Sequence, residues 1–257
     1  MKICFHKYQS LGNDFILIDL DSHDFEVTQL EISKLCNRNF GIGADGVIVY
    51  KKITPKKIRM NFFNSDGTSA SLCGNGLRSL FLHTQADTID TDVGEYHAHI
   101  SGQNVTIFFP IPKKKGEIVI ELGEEKFNID WIDSGVDHAV LKGVDFYRSD
   151  LKAIAKIIRR HEKFGPHGCN VNFYDLGDKI LMSTYERGVE NFTLACGTGA
   201  LAVFSALQQE KTRIFFPTGM YCDFEINKNQ VQVTAEAKKV FQGEFYTSEI
   251  FSNANIL

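Results

Sequence analysis

The sequence predicts an α+β fold of two similar halves, each a curved, mainly antiparallel sheet wrapped on a central helix. Three observations predict it. One local pattern occurs twice, as Leu72-Cys73-Gly74-Asn75-Gly76-Leu77 and as Ala195-Cys196-Gly197-Thr198-Gly199-Ala200, with the cysteines 123 residues apart in a chain of 257. Each copy follows a β-like run that opens on a methionine and ends in a polar turn, Met60 to Asp66 and Met182 to Gly188, and each leads into a helical pattern. Between the copies, Pro110-Ile111-Pro112-Lys113-Lys114-Lys115-Gly116 reads as a boundary, because proline, glycine and a lysine run interrupt both periodicities.

The strands come first in chain order. Lys2 to Tyr8, Asp14 to Leu20, Gly46 to Tyr50, Lys57 to Phe63, His97 to Ser101 and Asn104 to Phe109 are short runs rich in β-branched and aromatic residues. The second half repeats the style with Glu117 to Leu122, Lys126 to Asp133, Ala139 to Leu141, Val171 to Leu176, Lys179 to Tyr185, Met220 to Ile226, Val231 to Ala235 and Lys239 to Phe245. Asp66-Gly67 and Gly177-Asp178 mark tight turns.

Four helices stand among them. Thr28-Gln29-Leu30-Glu31 is a capping box, with Ile32 and Leu35 on one face behind it. Leu77, Leu80 and Phe81 form the apolar face of a helix that starts just after Cys73. Ser149 or Asp150 caps a helix carrying Leu151, Ile154, Ala155 and Ile158, which stops before Gly165-Pro166. The fourth, from Thr198 to about Gln208, is apolar nearly all round and is therefore expected to be buried.

Composition narrows the function classes. A hydrophobic fraction of 43% and a charged fraction of 23% are ordinary for a globular chain, and the length suits two cores. A net charge of −4 gives no electrostatic case for nucleic acid. The lysines fall in short, separated clusters that read as solvated loops. The amino terminus lacks the apolar core of a signal peptide, and the stretch from Leu194 to Leu207 is too short to span a membrane, so a cytoplasmic, non-membrane protein is expected. Six cysteines without a C-x-x-C spacing suggest neither a disulfide framework nor a zinc or redox motif.

Two of those cysteines point to proton chemistry. The Gly-Asn-Gly and Gly-Thr-Gly turns put Cys73 and Cys196 at the mouths of helices, where unpaired N–H groups and a partial positive charge lower a thiol's pKa and can hold a carboxylate. One thiolate and one thiol could remove the α-hydrogen of an amino acid and return another, while the carboxylate is stabilised as it gains enolate character. Cys4, Cys36, Cys169 and Cys222 open no glycine-flanked helix and read as small buried hydrophobes.

The residues around these thiols resemble the diaminopimelate epimerase family along nearly the whole chain. The matching segments are Ser10-Leu11-Gly12-Asn13-Asp14-Phe15, Asn39-Phe40-Gly41-Ile42-Gly43-Ala44-Asp45-Gly46, Phe63-Asn64-Ser65-Asp66-Gly67, Asn170-Val171-Asn172-Phe173 and Tyr185-Glu186-Arg187-Gly188, besides the two cysteine motifs. The resemblance implies two domains, each a barrel-like sheet around a central helix, with the site in the cleft between them and the last strand returning to the first domain. On that reading residues 1–113 with 239–257 form the Cys73 half, and 114–238 the Cys196 half.

The resemblance also implies roles. Cys73 and Cys196 are the base and acid, exchanging roles with direction. Gly74, Asn75, Gly197 and Thr198 hold the reacting-centre carboxylate. Asn13, Asn64 and Asn170 read polar groups of the substrate. Arg187 grips the distal carboxylate, Glu186 pairs with a substrate ammonium, and His138 supports catalysis. It implies a cofactor-independent conversion of LL- to meso-diaminopimelate in bacterial lysine and peptidoglycan-precursor synthesis, with no metal, by a homodimer. Plainer readings stand beside these: Asn64 as a turn residue, Glu186 and Arg187 as a solvated pair, His138 as a structural histidine.

One departure matters. The family's G-N-P-H is here Gly135-Val136-Asp137-His138, and valine neither donates nor accepts a hydrogen bond. Distal recognition is then weakened, or rebuilt by Asp137. Two other functions stay open: a broader amino-acid racemase on the same scaffold, with or without pyridoxal phosphate, and a non-catalytic amino-acid-binding module. Retention of both thiols argues against the module, since binding alone needs neither. The related isomerase of phenazine synthesis uses a carboxylate in place of the thiol pair and fits poorly.

Overall fold

A computed structural model of the chain describes residues 1–22 and 27–251. It divides into two compact units, Met1–Ile107 with Ala235 onward, and Phe108–Thr234. Residues 252–257, expected in the first half, lie outside the described residues.

The first unit opens with β1 (Lys2–Ser10) and β2 (Asn13–Asp19), a hairpin turned at Leu11-Gly12, both with positive φ. The helix α1 (Gln29–Cys36) follows and leads into β3 (Gly46–Thr54), which lies parallel to β2. The predicted capping box is formed: Thr28 accepts from the Glu31 amide, and the Glu31 carboxylate accepts from the Thr28 amide. Next come β4 (Lys57–Asn64), the two-residue β5 (Ser69–Ala70), α2 (Gly74–Thr84), β6 (Thr88–Thr91), β7 (Gly94–Ser101) and β8 (Asn104–Pro110).

The second unit runs β9 (Lys113–Leu122), β10 (Glu125–Asp133), β11 (Asp137–Lys142), α3 (Leu151–Arg159), β12 (Asn170–Leu176), β13 (Ile180–Glu186), β14 (Asn191–Thr193), α4 (Gly197–Leu207), β15 (Lys211–Phe215), β16 (Tyr221–Asn227) and the first part of β17 (Gln230–Tyr246). The five-residue α5 (Thr247–Phe251) follows β17. Val231–Ala235 and Lys239–Phe245, read from sequence as two strands, are one continuous strand.

In the first unit the pairings close a ring of eight strands, in the order β1, β2, β3, β4, β6, β7, β8 and the end of β17, which returns to β1. The second unit repeats the order. β10, β11, β12, β13, β15 and β16 correspond to β1, β2, β3, β4, β6 and β7, including the two parallel pairs, β2 with β3 and β11 with β12, and β4 with β6 and β13 with β15.

Each unit is stabilised from both faces of its sheet. Strands β2, β3, β11 and β12 are buried over runs of four or five residues because they are covered twice, as parallel strands require. Ile16, Ile18, Val47 and Val49 pack outward with Ile32 and Leu35 of α1. Ala139, Leu141, Val171 and Phe173 pack outward with Leu151, Ile154, Ala155 and Ile158 of α3. The alternate residues face the other way, toward the buried helices α2 and α4; an atom added to Gly76 of α2 would touch Ile48, and one added to Gly199 of α4 would touch Asn172. Burial of one leucine-sized side chain contributes roughly 2 kcal/mol, so the apolar α4 is held far more by its surroundings than by propensity. Both helices end on a left-handed residue, Gln85 and Gln208.

Candidate active site

The two cysteine motifs fold alike. Cys73 and Cys196 are each the N-cap of a buried helix, in extended backbone (φ −139°, ψ 111° and φ −117°, ψ 111°). The glycines behind them let the first turn approach the sheet without a side chain in the way.

In the first unit the Cys73 sulfur accepts from the Gly76 amide at 3.4 Å and lies 3.9 Å from Asn13 Oδ1. Asn13 donates through Nδ2 to Asp45 at 2.8 Å, which turns its carbonyl oxygen toward the thiol. Asp45 is held in turn by its neighbours: its amide donates to Asp14, and Arg38 bridges both carboxylates at 2.8–3.0 Å. Lys7 adds an ion pair to Asp14 at 2.9 Å and donates to the Gly43 carbonyl. Burial alone would raise the Asp14 carboxyl; Arg38 and Lys7 outweigh it and hold it at about 2. Asn13 therefore comes with a rigid carboxylate–guanidinium scaffold that the sequence motifs contained (Asp14, Asp45) but whose role they did not reveal. Asn64 ends β4 and donates to Thr68 at 3.0 Å, inside a turn. Asn75 is buried, and its carbonyl oxygen accepts from Arg78, an arginine with no exposed surface.

In the second unit Cys196 lies 3.5 Å from the Thr198 hydroxyl and within hydrogen-bonding reach of Glu186. A helix N-terminus lowers a thiol's pKa, but here burial, and then the Glu186 carboxylate, push Cys196 well up, so it rests as the protonated thiol. Burial also raises Glu186, whose carboxylate accepts from Thr193. The Thr198 carbonyl accepts from Ser134 at 2.8 Å. Asn170 accepts the Arg187 amide at 2.8 Å and fixes where that residue leaves the strand.

Arg187 is exposed, and its guanidinium has no ion-pair partner among the described residues. It lines a cavity of about 670 Å³ with Arg159, Arg160, Gly165, Pro166, His167 and Gly168. Arg159 and Arg160 both pair with Glu190, which leaves Arg187 as the available cation there. Sequence reading missed this basic wall because Arg159 and Arg160 sit at the end of α3, remote from any motif.

His138 has no exposed surface, and burial lowers it to about 4, so its imidazole is neutral. Asp137, next to Val136, is engaged within its own unit. Its carboxylate accepts from Trp131 Nε1 at 2.7 Å and from Lys115 at 2.6 Å. Of the other four cysteines, Cys36, Cys169 and Cys222 are buried as expected, and burial pushes Cys36 and Cys169 up to about 12, far from reactive thiolates. Cys4 is not, because it lies on an outward-facing position of β1, exposed, with its sulfur 3.7 Å from Glu244. Among the described residues no cluster of histidine, cysteine, aspartate or glutamate could hold a metal ion, and no helix is long and apolar enough to cross a membrane.

Residues 5–127 match the family model "Diaminopimelate epimerase". The diaminopimelate epimerase of Archaeoglobus fulgidus is 32% identical over 97% of this chain and 99% of its own. The chain belongs to the diaminopimelate epimerase family. The diaminopimelate epimerase of Aquifex aeolicus is 33% identical over 93% of this chain and 96% of its own. Among solved structures, a phenazine biosynthesis PhzF family protein of Enterococcus faecalis superposes with a TM-score of 0.72 at 14% identity, covering 96% of this chain and 100% of its own. A probable proline racemase from Agrobacterium radiobacter gives 0.69 at 11% identity, over 95% and 93%. At such identities these two share the fold. As a member of the diaminopimelate epimerase family, the chain is an isomerase of the epimerase class.

Proposed function

We propose that the protein interconverts LL- and meso-diaminopimelate without a cofactor, by proton transfer between two thiols, in the cytoplasmic supply of lysine and peptidoglycan precursor, as a homodimer. The observation that carries the reading is the pair of cysteines, each capping a buried helix behind the same glycine turn. Whole-length relatives named for that activity support the substrate.

On this reading one thiol serves each face of the α-carbon. The free amides of Gly74-Asn75 and Gly197-Thr198 hold the α-carboxylate, and the helix ends stabilise charge as the α-proton leaves. Cys196 starts protonated, as the acid toward the nascent carbanion, and Glu186 receives or supplies its proton. Arg187 binds the distal carboxylate bidentately. Asn64 and Asn170 read further polar groups, Asn13 orients the Cys73 thiol, and the neutral His138 supports the transfer.

A specific observation favours a second reading, a wider amino-acid racemase. Val136 lacks a side-chain amide, and Asp137, whose Oδ1 is tied to Trp131 and Lys115, offers a carboxylate that accepts but cannot donate as an amide does. Proton NMR of reduced enzyme with LL-diaminopimelate tests the first reading: meso product forms in wild type and in neither Cys73→Ala nor Cys196→Ala. Turnover of monoamino acids at a comparable rate would favour the second. No turnover of either, in folded protein, would leave the binding module.

A further inference from the structure

The two units carry different side chains at one set of equivalent positions. In the first unit Phe15 of β2, Ile48 of β3 and Phe62 of β4 face α2; Phe15 and Phe62 meet edge to face at 6.0 Å, and Ile48 lies against Gly76. Register places His138, Asn172 and Thr184 at the same positions of β11, β12 and β13. Phe15 pairs with Gly46 as His138 pairs with Asn170, and Ile48 pairs with Phe62 as Asn172 pairs with Thr184. An apolar trio therefore suffices to build this layer. The second unit buries three polar groups in it, at a cost that the fold itself does not require.

The trio's hydrogen bonds determine one proton. Asn172 Nδ2 donates to the Ala139 carbonyl at 3.1 Å, and Asn172 Oδ1 accepts from the Thr184 hydroxyl at 2.9 Å. A backbone carbonyl can only accept, so the amide's NH2 must face it. The second hydrogen of that NH2 meets His138 Nδ1 at 2.9 Å. Nδ1 is then an acceptor, and the single proton of the neutral ring sits on Nε2. Nε2 is buried and has no partner among the described residues. The helix makes room for this arrangement. A Cβ on Gly199 would stand 2.3 Å from Asn172 Oδ1 and 2.8 Å from Thr184 Oγ1, whereas the atoms nearest to one on Gly76 are the ends of Ile48 and Met60, at 3.1 and 3.3 Å, and the Cβ of Cys73 at 3.4 Å.

We propose that Asn172, held by Thr184 and accommodated by Gly199, is a positioning residue that fixes His138 as the Nε2–H tautomer, presenting one buried N–H donor to the reaction. The proposal rests on the reading of His138 as a residue that supports the transfer. It also gives the second glycine of the Cys-Gly-Thr-Gly motif a task beyond forming the turn. With the opposite tautomer Nε2 would be a bare acceptor, unable to donate to an anionic group in the transition state.

Long-range nitrogen–proton NMR of histidine-labelled resting enzyme reads the tautomer directly, with His138 assigned by the signal lost in His138→Gln. The expected wild-type result is a proton on Nε2. Asn172→Ile copies the first unit's residue, so the variant is expected to fold; its His138 signals shift toward a tautomer mixture, and kcat falls at least tenfold with little change in KM. Thr184→Val keeps side-chain shape, and a several-fold kcat loss is expected. A proton on Nδ1 in wild type, or wild-type kcat in Asn172→Ile, overturns the proposal. A wild type that shows the Nε2 proton but epimerises nothing supports the positioning and refutes the functional reading, so the two fail separately.

Discussion

Gly76 and Gly199 are each the third residue of the helix behind a cysteine, yet alanine at the two sites has different consequences. At Gly199 the new methyl stands 2.3 Å from Asn172 Oδ1 and 2.8 Å from Thr184 Oγ1, two buried polar atoms bonded to each other. Overpacking a filled core costs about 1–3 kcal/mol. Parting the hydrogen bond and leaving a buried polar atom unpaired adds about 1–3 kcal/mol. Alanine in place of glycine in a helix returns about 1 kcal/mol. The net loss for Gly199→Ala is about 3 kcal/mol, within a range of about 1–5 kcal/mol. At Gly76 the nearest atoms are Ile48 Cδ1 at 3.1 Å and Met60 Cε at 3.3 Å, ends of side chains that can move. Mild crowding there nearly cancels the helix gain. Calorimetry of both variants beside wild type reads the difference. At about 2–4 °C per kcal/mol for a chain this size, the central figure for Gly199→Ala lowers the Tm by roughly 6–12 °C, and Gly76→Ala moves it by no more than about 3 °C. Equal shifts, or a larger one for Gly76→Ala, would refute the packing argument.

Other outcomes follow from the same structure. His83 bonds to Tyr50 at 2.8 Å and Tyr8 at 3.2 Å, and its ring lies 4.4 Å from that of His6 at a tilt of 43°; burial, then the charges of His6 and Lys239, lower it to about 4. The unfolded chain takes up the proton first, near pH 6.5, so the contribution is intact above that and is lost as pH falls toward 4. After allowance for partial exposure it is about 2 kcal/mol. Melting curves from pH 7 to 4 should fall less steeply for His83→Gln, with the residual slope due to His138, His6 and the carboxyls held low by their partners, and parallel curves would contradict this. Val136→Asn restores one hydrogen bond of about 0.5–1.5 kcal/mol, so kcat/KM for LL-diaminopimelate relative to monoamino acids rises roughly 2- to 12-fold; no change in the ratio would count against position 136 as a selectivity determinant. Alkylation of Cys196 in the resting enzyme, followed by peptide mass spectrometry, should keep accelerating beyond pH 9, because burial and Glu186 hold the thiol protonated. A plateau below pH 8 would show a thiolate instead.

The duplicated motif made the fold's plan legible. Cys73 and Cys196 with their glycines marked both buried helices, and Thr28 with Glu31 marked the start of α1, because turn chemistry and capping are local. Strands β5, β6, β14 and β15 escaped notice: each is five residues or fewer, too short for a period-two pattern. The turn at 227–230 was visible, but no break appears between Ala235 and Lys239 because one strand runs through. In the candidate site, motif residues were readable and their partners were not. Arg78 reads as one charge on a helix and turns out to hold Asn75 from a fully buried position. Asn172 reads as the second asparagine of the Asn-Val-Asn-Phe motif, and its neighbours Ala139 and Thr184 come from other strands. The expected drop in thiol pKa at a helix mouth is reversed at Cys196 because the thiol is buried and, second, because Glu186, ten residues away in sequence, lies beside it.

In the proposed mechanism two different groups handle the proton, one on each face of the α-carbon. The most direct test is the fate of the hydrogen in the first turnovers of LL-diaminopimelate in D2O, with product and unreacted substrate separated and analysed by mass spectrometry. Two thiols predict that nearly every early product molecule carries solvent deuterium at the inverted carbon while the remaining substrate keeps its protium. Early product that retains the original hydrogen, or substrate that exchanges faster than product forms, would point to a single base and contradict transfer by two thiols.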